Sequence, residues 1–269
     1  MNASIQAHNE RPAAVWSSGG AAYDEVSEQI SSALSHCVRR LGPQPGERIL
    51  DLATGTGWTS RLLARRGAQV TGVDIAADLL SAAKELARSS GMSIDYKVGD
   101  AEQLEFPDES FDAVTSTFGV MFVTRPEAAA NEIARVCRKG GRIALTTWRT
   151  DSTVFEMFKV MRAYMPSPPS PPPPSPFEWG RRERMQELFG ASFDLQFEED
   201  EAIYYDRDGE TAWQKFSTGY GPTKALAGNL DDGQREKLRK DFVAFHDKFR
   251  APLGIRVPRR YLLTFGTRR

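Results

Sequence analysis

Apolar positions along the chain change period again and again, and the changes mark out its elements. Over residues 23–41 they fall at Val26, Ile30, Ala33, Leu34, Cys37 and Leu41, a helical spacing with one buried face. Gly42-Pro43 ends that helix, and Pro45-Gly46 turns the chain. A short apolar run follows at Ile49-Leu50 and Leu52. Next come an amphipathic stretch with Leu62, Leu63 and Ala64, a stop at Gly67, and a second run over 70–73. The alternation continues with a helix carrying Leu79, Leu80, Ala83 and Leu86, a strand over 94–98 and a strand over 111–118. A further helix opens at Pro126 with Ala129, Ile133, Val136 and Cys137 inward, stops at Gly140-Gly141, and leads into a strand over 142–148. Alternating strands and helices predict a parallel sheet covered on both faces. Right-handed crossovers give the order 3-2-1-4-5, with a switch point between strands one and four.

The later half is less regular. A helix is expected over 154–164. Eight prolines then fall between Pro166 and Pro176, which predicts a stiff polyproline connector. Phe177 and Trp179 lead into a short helix that ends at Phe189-Gly190. Phe193, Leu195 and Phe197 alternate with Asp194, Gln196 and Glu198, an edge or antiparallel strand that extends toward Ile203 and Tyr205. Short helices are expected over 209–230, and the stripe Leu238, Phe242, Phe245, Phe249 predicts an amphipathic helix. A last strand covers 261–265. The two late strands add an antiparallel pair to the sheet. Residues 1–20 look polar and irregular, mobile until a ligand orders them. The expected organisation is one domain, 1–269: an N-terminal lid segment (1–42), a cofactor-binding core (43–149), an acceptor cap holding the sixth strand and the connector at 166–176 (150–258), and a last strand (259–269).

Charge narrows the partners. Thirty-five basic against 36 acidic residues give −1 in 269, so nothing global favours nucleic acid or an anionic membrane. Cys37 and Cys137 make neither a disulfide framework nor a metal cluster, and no metal is expected. With no signal-peptide pattern and no apolar run near the ~20 residues of a membrane span, a cytoplasmic location is expected. Oligomeric state is not readable.

The chemistry concentrates at strand ends. Asp51 precedes the turn Gly55-Thr56-Gly57, where glycines permit a sharp bend and close approach of a ligand. Asp74 closes the second strand, placed to accept both hydroxyls of a ribose. A dinucleotide site would want a third glycine at position 60 and gains nothing from an acid at position 51. Ser60 stands in place of that glycine, and the acid Asp51 instead suits a cationic ligand such as S-adenosylmethionine, although the turn alone does not decide. Asp100 ends strand three, placed for an adenine amino group, with Ala101 near the ring and Ile75 against the base. Thr117-Phe118 ends strand four.

Four stretches carry a resemblance: ILDLATGTG (49–57), VTGVDIAADLLSAAKELA (70–87), VGDAEQLEFPDESFDAVTSTFGV (98–120) and EIARVCRKGGRIALTTW (132–148). Together they resemble the class I S-adenosylmethionine-dependent methyltransferases, in the broad group similar to ubiquinone/menaquinone C-methyltransferases. The resemblance implies a Rossmann-like α/β fold whose seven-stranded, mostly parallel sheet runs 3-2-1-4-5-7-6, with helices on both faces and a helical cap. It implies S-adenosylmethionine as cofactor. Asp51, Ala53, Gly55, Thr56 and Gly57 then border the methionine part, Asp74 and Ile75 the ribose and base, and Asp100 and Ala101 the adenine. Thr117, Phe118 and Tyr23 complete the expected cofactor set, Tyr23 with Trp16 as a lid. Ala53 and Thr54 depart from the Gly and Cys of many members, and Lys139 from a proline. The expected activity is in-line methyl transfer to a C, O or N atom of a small, fairly apolar acceptor. The alternatives are an RNA or protein acceptor, or a protein that binds the cofactor without transferring methyl. Of His8, His36 and His246, His246 is the candidate base, because it falls in the cap.

Overall fold

The computed structural model describes residues 5–167, 170 and 172–269. Its strands are β1 (Arg48–Leu52), β2 (Gln69–Asp74), β3 (Asp95–Val98), β4 (Phe111–Thr117), β5 (Cys137–Trp148), β6 (Phe193–Asp206), β7 (Arg250–Ala251) and β8 (Gly254–Arg268). They form one sheet in the order β3-β2-β1-β4-β5-β8-β6, with the two-residue β7 hooked onto β8. The first five strands are parallel, and β8 lies antiparallel between β5 and β6. Setting β7 aside, this is the order the sequence predicts. Ile49, Leu50 and Leu52 of β1 are essentially inaccessible, as a central parallel strand covered on both faces requires. Long β6, at the sheet's edge, is instead mostly accessible and buries only Phe193, Ala202 and Tyr204.

The helices are α1 (Glu10–Ser17), α2 (Tyr23–Glu28), α3 (Ser31–Leu41), α4 (Trp58–Ala64), α5 (Ala77–Ser89), α6 (Pro126–Val136), α7 (Thr153–Arg162), α8 (Arg182–Phe189), α9 (Gly209–Gly219), α10 (Gly221–Gly228) and α11 (Asp232–Asp247). Gly42 ends α3 in the left-handed conformation, φ 62°, and returns its N–H to the Val38 carbonyl. Helices α9, α10 and α11 occupy the connection from β6 to β8. With α1, α2 and α7 they build a cap over the carboxyl ends of the parallel strands. No helix among the described residues is long and apolar enough to cross a membrane.

Several expectations need correction. Residues 5–20 are not irregular: a short 3₁₀ turn (Ala7–Asn9) leads into α1, which rests on α10 and α5. Its order comes from tertiary contacts that a periodicity search cannot see. The helix expected over 23–41 breaks at Gln29-Ile30, so α2 turns toward α9 while α3 stays on β5. Strand β5 begins at Cys137, before the paired glycines, with a register shift opposite Phe111 and Ala113. Strand β8 begins at Gly254, because hydrogen bonding to β6 continues back to Ile255. In the proline-rich connector, Pro168, Pro169 and Pro171 lie outside the described residues. A 3₁₀ turn, Pro176–Gly180, follows it.

Candidate active site

The turn after β1 is built on left-handed backbone. Ala53, Gly55 and Gly57 have φ of 54°, 58° and 80°. An alanine in that region is disfavoured by ~1–2 kcal/mol, so the surroundings must hold it there. Asp51 does so from beneath: its Oδ2 accepts from Thr54 Oγ1 and Ser60 Oγ, both at 2.6 Å. Ser60, found where a dinucleotide site has glycine, therefore has its own task in the loop. Burial pushes the Asp51 carboxyl up to about 6, and its Oδ1 has no hydrogen-bond partner. From the front, Gly119 leaves room for the Ala53 methyl. A Cβ on Gly119 would lie 2.5 Å from the Ala53 Cβ and 2.8 Å from its carbonyl oxygen.

The turn opens onto a cleft of about 960 Å³, mouth included, at the carboxyl ends of β1, β2, β3 and β4. Asp74 lines it. Its Oδ2 accepts from the Gly55 N–H and its Oδ1 from the Ala76 N–H, each at 2.8 Å. Those bonds fix the carboxylate plane and leave lone pairs for a ligand. Burial raises the Asp74 pKa, against the pull of these N–H groups. Asp100 also lines the cleft, but its Oδ2 is already engaged by the Asn9 side chain (2.9 Å) and the Gln6 N–H (3.2 Å). Asn9 in turn accepts from Thr124 Oγ1 at 2.7 Å, and His8 meets Glu102 at 2.7 Å. The N-terminal segment is thus clasped over the cleft, with Asn9, Pro12, Trp16 and Tyr23 in its wall.

A second chamber, about 450 Å³ with its mouth included, lies beside the first and shares Trp16, Tyr23, Ser27, Ile30, Phe118 and Phe122 with it. Trp148, Phe216 and Tyr220 extend its aromatic walls, and Val154, Met157 and Arg259 complete them with Val26. Phe118 is left-handed, φ 59°, and stacks on Trp148 with ring centroids 3.7 Å apart. Trp16 packs edge-on to Tyr23 and Tyr220. Burial raises the Tyr23 and Tyr220 hydroxyls far above their ordinary range, so both stay neutral.

Of the residues expected from sequence, Tyr23, Ala53, Gly55, Asp74, Ile75, Asp100, Ala101, Thr117 and Phe118 line the cleft. Asp51, Thr56 and Gly57 stand behind it rather than in its wall. His246, the candidate base, is a correction: it is fully buried, its Nδ1 bonds the Phe242 carbonyl at 2.9 Å, and it reaches neither chamber. Aromatic rings of Tyr204, Phe216, Phe242 and Phe245 enclose it, and burial lowers its pKa to about 4. His36 bonds Tyr261 Oη and Glu198, each at 2.9 Å, and ties α3 to β6 and β8. Asn9 and Arg259 were missed. Asn9 sits in a segment without periodicity. Arg259 was legible: carried back two residues at a time from Tyr261, the inward positions of β8 are Arg259, Val257 and Ile255.

Residues 50–145 match the family described as a methyltransferase domain. That stretch of the chain is thus a methyltransferase-domain match. An uncharacterized protein of Mycobacterium tuberculosis is 36% identical over 178 residues, 66% of this chain and 64% of the relative. The demethylmenaquinone methyltransferase of Clavibacter sepedonicus is 34% identical over 156 residues, 56% of this chain and 63% of that enzyme. The chain thus spans a little under two thirds of the curated relatives it matches. Among solved structures, the YcgJ protein of Bacillus subtilis superposes with a TM-score of 0.62 over 88% of this chain and 98% of its own, at 20% identity, which shows the shared fold. The cofactor of such methyltransferases is S-adenosylmethionine, and the cleft suits it. Its wall holds two carboxylates and, among the described residues, no cationic side chain. That polarity matches an ammonium and a sulfonium and opposes a pyrophosphate.

Proposed function

We propose that this chain is an S-adenosylmethionine-dependent methyltransferase acting on a small, fairly apolar acceptor. The supporting observation is the adjacency of the two chambers: a carboxylate-lined cleft and an aromatic one share six lining residues. In this reading Asp74 accepts the ribose hydroxyls, and Ile75, Ala101 and Leu79 flank the base. Asp100 meets the adenine edge with the capacity the N-terminal segment leaves it. Asp51 lies behind the methionine end, holding Ala53, Thr54 and Gly55 in shape and lending negative charge. The bound cofactor would supply an electrophilic methyl group, transferred by in-line displacement.

The remaining work is positional. Trp16, Tyr23, Phe118 and Phe122 sit where the chambers meet and hold the acceptor against the cofactor while excluding water. The neutral Tyr23 hydroxyl serves as a hydrogen-bond donor, not a base. Deprotonation then falls to the acceptor's own acidity. We assign residues 1–42 to the lid, 43–149 to cofactor binding and 150–258 to the acceptor cap, whose last residues already belong to β8, the strand that closes the chain.

Calorimetry with S-adenosylmethionine tests the premise. Removing both ribose contacts with Asp74→Ala should weaken binding roughly 100-fold or more. Wild-type protein that fails to bind, or a variant that binds equally well, rejects the reading. Transfer of a labelled methyl group into an extract, followed by the mass of the product, then separates a small acceptor from RNA or protein.

A further inference from the structure

Arg259 stands out in the second chamber. It is only 5% exposed, yet it lines the cavity and its Nη2 has no hydrogen-bond partner. Among the described residues no carboxylate forms an ion pair with it. Asp206, an acid on the neighbouring strand β6, is committed to Lys215 at 2.9 Å and the Tyr204 hydroxyl at 2.7 Å. What holds the guanidinium is aromatic: its carbon lies 4.2 Å from the Tyr204 ring centroid and 5.4 Å from that of Phe216. Those faces orient the fork without satisfying its donors. Burial without a counter-ion lowers the Arg259 pKa to about 10, which still leaves it charged at neutral pH. A buried, unpaired cation is costly to a fold and is retained where a ligand completes it.

We propose that Arg259 is the specificity-determining residue of the acceptor site, and that the acceptor is a flat aromatic compound carrying a carboxylate. The proposal rests on reading the second chamber as the acceptor site. A carboxylate matches the guanidinium fork through two parallel hydrogen bonds. The aromatic walls, Trp148, Phe216 and Tyr220 among them, fit the flat remainder of the molecule. The whole cleft is then polarised end to end: carboxylates face the cationic donor and a guanidinium faces the anionic acceptor, so neither ligand suits the other's place.

The test uses protein saturated with S-adenosylhomocysteine, titrated calorimetrically with benzoate and 1-naphthoate and with their neutral amides. The carboxylates should bind wild-type protein about 10- to 100-fold more tightly than Arg259→Gln, and Arg259→Lys should fall between. The amides should bind weakly and alike to all three. Carboxylate binding that survives Arg259→Gln, amides that bind as well as the acids, or no carboxylate binding to wild type overturns the proposal. S-adenosylhomocysteine should bind every variant equally. Its failure to bind wild-type protein would instead reject the methyltransferase reading. The ligand-free melting temperature separates ligand recognition from a structural role. Arg259→Met should melt higher, because an unpaired buried charge is removed, and a lower melting point would mark the arginine as structural and overturn the assignment.

Discussion

Ala53 and Gly119 make a matched pair whose exchange has a calculable effect. In Gly119→Ala the new methyl would sit 2.5 Å from the Ala53 Cβ and 2.8 Å from the Ala53 oxygen, where carbon contacts settle near ~3.5–4.0 Å. Both neighbours belong to the backbone or stop at Cβ, so no rotamer change relieves them. An overpacked site of this kind costs about 1–3 kcal/mol, a fall in melting temperature of roughly 2–5 °C for a chain of this size. Ala53→Gly alone relieves about 1–2 kcal/mol of left-handed strain but gives about 0.5–1 kcal/mol back as chain entropy, so it should stabilise by no more than about 1.5 kcal/mol. In the double variant the Cβ–Cβ contact is gone and the contact with the oxygen remains. It should therefore recover part of the loss, with a coupling of about 1 kcal/mol. Both residues line the cofactor cleft, so S-adenosylhomocysteine affinity should fall in Gly119→Ala and recover in parallel. Thermal denaturation of the four proteins, with calorimetry alongside, is the assay. A Gly119→Ala protein that melts like wild type, or a double variant whose loss is the sum of the singles, refutes the pairing.

His246 has a lowered folded pKa, about 4 against 6.5, so the unfolded chain binds its proton first. Stability should thus rise with pH between about 4 and 6.5, by a contribution of about 3 kcal/mol. His246→Phe should flatten that slope without changing turnover, and an unchanged slope would show that the ring is not the titrating group. Asp51 titrates near 6 in the free protein, and a cationic ligand favours its ionised form. Affinity for S-adenosylmethionine should therefore be full above pH 6 and weaken as pH falls through that value, and Asp51→Asn should lose the dependence. A calorimetric pH series decides both points. Asn9→Ala removes the bonds to Asp100 and Thr124 and should speed S-adenosylhomocysteine release about tenfold, measured by stopped flow. An unchanged off-rate would mean that the segment does not gate the site.

The parallel half of the fold was legible because short apolar runs alternate with striped helices, and β2 and β3 close on Asp74 and on Gly99-Asp100. Asp74 and Asp100 could be placed from that alone. The cap was harder. The order of α1 is imposed by its neighbours, so its sequence reads as irregular. His246 is the candidate base for lying in a cap segment, but chain position does not tell which face of α11 meets a cavity and which packs on Tyr204 and Phe216. Arg259 was the opposite case: it fell inside the last-strand segment, but the alternation that turns it inward was not followed back past Tyr261.

The clasped N-terminal segment also lies against the insertion helices with almost no space between. A Cβ on Gly19 would come 2.3 Å from the Gly219 carbonyl oxygen, and one on Gly221 would come 2.3 Å from that of Val15. Backbone touches backbone along this seam, so the segment cannot lift from the cofactor cleft while its contact with α9 and α10 stays whole. Exchange of the spent donor should then unseal the acceptor chamber as well. Such an enzyme would shed its methylated product no later than its used cofactor.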